Sequence, residues 1–230
     1  MNKKFNLMIT NYWHYYIELE KEIFEIGKYV EFSEKNYKCF SIEFLKLYQA
    51  ICSEIDSLGK YIAGILDKKF DPSSKKNNLF KWWYVVSNKL FLNSNFYNGE
   101  SINIKDYVVR NVVLNIEFSP RKNFIVESRI SKNGRNYLGI KKGCKTPKWW
   151  TEYNKVKHNR TSYNKKNCIN YESANLKNVL LSLSALYILE LAILKLTGTN
   201  NDLEIFNNDS KFFAKDERII ASAINGNDLS

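Results

Sequence analysis

The segment Thr146–Arg160, TPKWWTEYNKVKHNR, holds the residues best suited to chemistry. At 100° per residue, Trp149, Trp150, Tyr153 and Val156 share one apolar face of a helix, with Thr146 as its expected cap and Pro147 at its first position. Asn154 and His158 stand four apart and are neighbours on the helix surface. Lys157 and Arg160 fall on or beside the apolar face, where a cation needs a partner. An amide, a histidine and flanking cations together suit a phosphate ligand, and a histidine moves protons near neutral pH. His158 is thus the expected proton carrier, Lys157 and Arg160 the phosphate holders and Asn154 the orienting group, with Lys145, Lys148 and Lys155 as candidate nucleic-acid contacts. The competing reading is a buried polar network in which His158 and Arg160 tie the helix to Glu54 or Glu190.

Charge placement supports a phosphate partner. The net charge of the 230 residues is +11, but residues 72–170 alone carry 20 Lys/Arg against 5 Asp/Glu. A localised basic region is the electrostatic footprint of a nucleic-acid or polyphosphate binder, although exposed lysines also serve solubility. Trp82, Trp83, Trp149 and Trp150 lie within this region and would stack on bases if exposed, or fill the core if not. The four cysteines, 39, 52, 144 and 168, show no metal-ligand spacing, and no His/Asp/Glu cluster does either. We expect no metal and no cofactor, with Cys52 a small core residue. The N-terminus lacks an uninterrupted apolar run and a cleavage site, so no signal peptide is expected and a cytoplasmic setting fits reduced thiols.

The elements that position these residues are mainly helical. A first helix is expected over residues 5–31, with Ile9, Tyr12, Tyr16, Leu19, Ile23, Ile26 and Val30 as its stripe and His14 opposite. A second runs from Ser41, its cap, to Leu66. Glu54 projects about 60–70° from the centre of that helix's apolar stripe, so its carboxylate is expected to be partly buried and to need a cation from the Lys157–Arg160 cluster. Asp56 and Lys60, one turn apart, are expected to pair with each other. After a polar loop, 67–78, a short helix is expected over Leu79–Leu90, with Trp82, Trp83, Val86 and Leu90 inward.

The runs INIKDYVV, VVLNIEF and NFIVESRI predict two or three short strands between about 100 and 130, and Gly134, Gly139 and Gly143 mark loops. A long helix from Ser173, its cap, to Leu196 is apolar almost all round. A membrane span and a central core helix compete there; Ser182, Ser184, Glu190 and Lys195 favour the core, with Glu190 a second buried carboxylate. The tail from Thr199 is polar, with one short helix around 212–224. The expected fold is therefore a mainly α helical bundle, residues 1–95 and 146–197, with a β-containing insertion at 96–145 and a tail at 199–230, in a single domain.

The combination of ICSEID in the second helix, WWTEYNKVKHNR near position 150 and ANLKNVL opening the apolar C-terminal helix resembles prophage- and defence-associated bacterial proteins, and is similar to divergent members of the HEPN superfamily. The resemblance covers most of the chain loosely and is specific only around His158. It implies a helical bundle, commonly dimeric, and a metal-independent endoribonuclease of toxin or abortive-infection type, with a partner protein from the same operon. The family's arginine lies a few positions before its histidine; here Thr151, Glu152 and Tyr153 occupy those positions, so Lys155, Lys157 or Arg160 supplies the charge. The alternative implied function is a non-catalytic nucleic-acid-binding or protein-interaction module. RNA or another single-stranded nucleic acid is the expected partner, with no membrane.

Overall fold

The computed structural model describes residues 3–91, 109–111, 113–114, 116–121, 123–164, 167–206 and 210–213. The chain is mainly helical with a small β insertion. The first helical segment comprises α1 (Lys3–Met8), a π-helical turn (Ile9–Trp13) and α2 (His14–Ile26). The expected stripe faces the core, with Tyr16, Leu19 and Ile23 buried and Ile9, Tyr12, Ile26 and Val30 packed against it, but the π turn shifts its first part. The buried residues step from Met8 to Trp13 before resuming at Tyr16, Leu19 and Ile23, a five-residue step where an α-helix would bring Tyr12 inward. Tyr12 instead stacks on Tyr61 at the edge of the core. The helix ends at Gly27, not at residue 31; a Cβ there would meet the Phe24 carbonyl and the Phe32 ring at 2.9 Å.

Helix α3 (Ile42–Leu66) matches expectation at both ends, and the Ser41 hydroxyl accepts the Phe44 N–H at 3.1 Å. It packs along α6 (Leu176–Thr197), the apolar helix, whose residues are mostly buried against the other helices. Length and composition alone would let α6 cross a membrane, but here it supplies the centre of the core. Its cap is Asn175, which accepts from Asn178 N, rather than Ser173, which lies in a preceding 3₁₀ turn.

Helix α4 (Leu79–Val86) lays Trp82 and Trp83 into the core against α3. Gly59 is what allows this approach, since a Cβ there would stand 2.6 Å from the Trp82 ring. Gly59→Ala therefore has two opposing effects. Helix propensity favours Ala by about 1 kcal/mol. Overpacking against a rigid indole costs roughly 1–3 kcal/mol. Net destabilisation is expected in urea titration; a stabilised variant would show that α4 shifts freely.

The β insertion consists of two separate antiparallel hairpins among the described residues: β1 (Val109–Asn111) with β2 (Ile116–Phe118), and β3 (Val126–Ile130) with β4 (Asn136–Ile140). Strand β4 lies beyond the expected limit of about 130. Gly139, expected in a loop, pairs with Glu127 inside the ladder. The turn falls earlier, at Gly134 with φ 72°, where Gly134 N donates to the Ser131 carbonyl at 2.9 Å. The expected strand residues 102–108 lie outside the described residues.

The tail after α6 was expected to be a polar extension. It first forms α7 (Asn200–Ile205), capped by Thr199 and Asp202. Residues 210–213 then return to the core, burying Phe212 and Phe213. Glu20, buried on α2, accepts from Tyr16 Oη (2.6 Å), Ser210 Oγ (2.7 Å) and Lys211 N (2.5 Å), which fastens this segment. The expected helix at 212–224 falls mostly outside the described residues.

Candidate functional site

Helix α5 (Lys148–His158) carries the polar cluster. Its start differs from expectation: Pro147 occupies the cap position and no side chain caps it, so Thr146 stays outside. Its inner face is the expected one, with Trp149, Trp150, Tyr153 and Val156 buried. Three contacts fix its roll. The Tyr48 hydroxyl donates to the Trp149 carbonyl, the Tyr48 and Tyr153 rings meet edge-on at 5.9 Å, and the Trp149 indole donates to the Pro120 carbonyl at 2.7 Å. Burial, and the fields of Cys52 and Asp56, push the Tyr153 phenol up to about 12.

With that face buried, Asn154, Lys157 and His158 line an open cleft of about 590 Å³ whose far wall comprises Ser53 and Asp56 of α3 and residues 77–80. His158 is exposed and makes no hydrogen bond among the described residues. Lys157 lies over the Tyr153 ring at 5.5 Å. The Asn154 amide donates to the Trp150 carbonyl one turn back, at 3.0 Å, rather than orienting the imidazole. Arg160 is not brought in: the helix stops at His158, and Arg160 is an exposed turn residue outside the cleft lining. The expected buried network through His158 and Arg160 is thus absent, because both side chains face solvent.

Glu54 is also corrected. Residues of α3 on the side of α5 include Tyr48, Cys52, Ser53 and Asp56. Glu54 lies about 100° from Ser53 and about 200° from Asp56 on the helix. It is half-buried on the other side, where its field reaches Tyr12, Tyr15 and Glu190, and it forms no ion pair with Lys157 or Arg160. Burial raises its carboxyl above the ordinary range. Glu190 is fully buried, neither of its oxygens has a hydrogen-bond partner among the described residues, and burial, with Glu54 as a second cause, pushes its carboxyl well up.

The candidate nucleic-acid lysines divide. Lys155 pairs with Glu152 at 2.8 Å. Burial opposes ionisation of Glu152, but hydrogen bonds from Lys155 and the Ser173 hydroxyl, with the fields of Lys155 and Lys148, outweigh it and hold the carboxyl below its usual range. Lys145 and Lys148 are exposed. All four tryptophans proposed for stacking are in the core, so none presents a face to a base. Among the described residues no three His, Cys, Asp or Glu side chains converge.

Asp56 is the cleft residue the sequence did not single out for function. It does pair with Lys60, at 2.5 Å, as expected, but it also accepts the Trp82 indole N–H at 3.0 Å and thereby stands in the cleft wall facing α5. The Tyr48–Cys52–Asp56 spacing, one helical turn each, was the available signal. Compared with known protein families, curated proteins and solved structures, the chain has no match.

Proposed function

We propose that this protein acts on RNA by metal-independent endonucleolytic cleavage at the His158 cleft, as a HEPN-like protein of defence or toxin type. The observation that carries this reading is an exposed histidine, beside a lysine, at the rim of a cleft roomy enough for a nucleotide. His158 takes the proton from a ribose 2′-hydroxyl, whose oxygen then attacks the adjacent phosphorus. The 5′-oxygen departs with a proton from solvent or from the imidazolium, leaving a cyclic phosphate. Lys157 faces the phosphate and offsets the charge that builds on it.

A second reading is non-catalytic nucleic-acid binding. It is favoured by the commitment of the Asn154 amide to Trp150 and by the position of Arg160 outside the cleft, which leave a single lysine for the phosphate. Incubation with an end-labelled, unstructured RNA in EDTA separates the two. Cleavage to fragments with cyclic or 3′-terminal phosphate is expected. Retention of intact RNA would leave the binding reading, and cleavage only with added Mg²⁺ would reject the mechanism.

A further inference from the structure

We propose that the β3–β4 hairpin and the strand of chain leading from it to α5 form the surface that grips single-stranded nucleic acid and leads it to the cleft. This rests on the functional reading above and names the surface it uses. Between Glu127 and Glu152 the chain has no acidic residue and carries 7 Lys/Arg. Arg129 is committed internally, to Glu127 at 2.9 Å and to the Ile140 carbonyl at 2.5 Å. The other six, Lys132, Arg135, Lys141, Lys142, Lys145 and Lys148, are all exposed.

Their backbone is fixed rather than loose. At the tip, Ser131 Oγ accepts Arg135 N at 3.0 Å and Ser131 N donates to the Arg135 carbonyl at 2.8 Å. At the base, Lys141 N donates to the Ile125 carbonyl (2.8 Å) and Lys145 N to the Asn123 carbonyl (2.9 Å). The next residue, Thr146, already lines the His158 cleft. The six exposed basic residues therefore lie on one continuous, hydrogen-bonded stretch of chain that reaches the cleft at Thr146.

The tip also exposes Tyr137 at 48% and Ile130 at 74%. A surface serving solubility alone needs neither. Beside cations on a rigid hairpin, an exposed tyrosine is a stacking platform for an unpaired base, which the buried tryptophans are not. Duplex recognition is not implied, since stacking requires unpaired bases.

The test is fluorescence anisotropy with a labelled 2′-O-methyl oligouridine RNA, which has no free 2′-hydroxyl and cannot be cleaved by the proposed route, in EDTA over a salt series. Wild type and His14→Ala, a change at an exposed histidine outside the cleft lining, are expected to bind equally. The double variant Lys132→Glu/Arg135→Glu should bind about tenfold weaker or worse. Its salt dependence should be shallower by roughly 1.4, at about 0.7 per lost contact on a single strand. Tyr137→Leu, which keeps an apolar side chain without an aromatic face, should weaken binding about fivefold or more with the slope unchanged. Lys35→Glu/Lys38→Glu, the same charge change in the loop after α2, should have an effect under threefold.

Wild-type binding that the tip variants leave within twofold, or that both double variants weaken equally, would overturn the assignment of this surface while leaving the cleft proposal standing. No wild-type binding at low salt would overturn both. Co-sedimentation with phosphatidylserine vesicles in place of RNA binding would show a membrane-directed surface and likewise overturn it. Circular dichroism melts confirm that each variant folds.

Discussion

Replacing His158 by alanine is expected to lower RNA cleavage in EDTA by about 10²–10⁴-fold, the range for a positioned general acid or base. The melting curve should barely move. His158 is exposed at the last position of α5 and makes no hydrogen bond among the described residues, so its loss opens no cavity and strands no partner. Surface substitutions of this kind usually shift stability by less than about 0.5 kcal/mol. His14 is exposed on α2 and lies outside the cleft lining, so His14→Ala serves as the matched control and should retain activity. Lys157→Ala should reduce cleavage while removing only the contact with the Tyr153 ring. Full activity in His158→Ala would reject the cleft as the catalytic site.

A second large effect is expected at Glu190, where stability rather than activity is read. Its carboxyl is fully buried, both oxygens lack partners among the described residues, and Glu54 adds a like charge nearby. Its folded-state titration is therefore raised above the unfolded value of about 4.3. Between those two values the folded chain binds the extra proton, so stability is fully present below the unfolded value and falls as pH rises towards the folded one. The slope reaches about 1.4 kcal/mol per pH unit. Glu190→Leu removes the titrating group and should be the more stable protein at neutral pH by about 2–4 kcal/mol, with a flatter stability profile from pH 4 to 7. Glu54→Gln should reduce the slope in part, since Glu54 is the lesser cause. Lys195, whose burial lowers its ammonium to about 8, acts above this range and does not confuse the comparison. Urea titrations at each pH decide the matter, and parallel profiles for wild type and Glu190→Leu would refute it.

Much of the helical framework was legible in the sequence, for local reasons. Helix α3 has an uninterrupted 3.6-residue apolar repeat and a serine at its start, and both boundaries follow from those two facts. The inner face of α5 follows from four apolar residues at helical spacing, and the central role of α6 from an apolar surface that two polar faces could not bury. The Asp56–Lys60 pair needed only one turn of helix.

What failed depended on partners distant in sequence. The π turn at Ile9–Trp13 replaces Tyr12 by Trp13 in the core, where Trp13 packs against Tyr187 and Phe206 from the other end of the chain. Strand β4 was hidden because its glycine suggests a loop until Glu127 is seen opposite it. The Glu20 clamp joins groups about 190 positions apart, and no local pattern marks them. Glu54 and Asp56 show the limit most clearly. The sequence by itself determined the angle at which each leaves α3, because 100° per residue is a property of the backbone. It did not determine which helix lies at that angle. Only the tertiary arrangement placed α5 against the Tyr48–Asp56 side and α2 with α6 against Glu54, because the packing order around a helix is set by the burial of all the apolar faces together. That arrangement put Asp56 in the cleft with His158 and left Glu54 beside a second carboxylate.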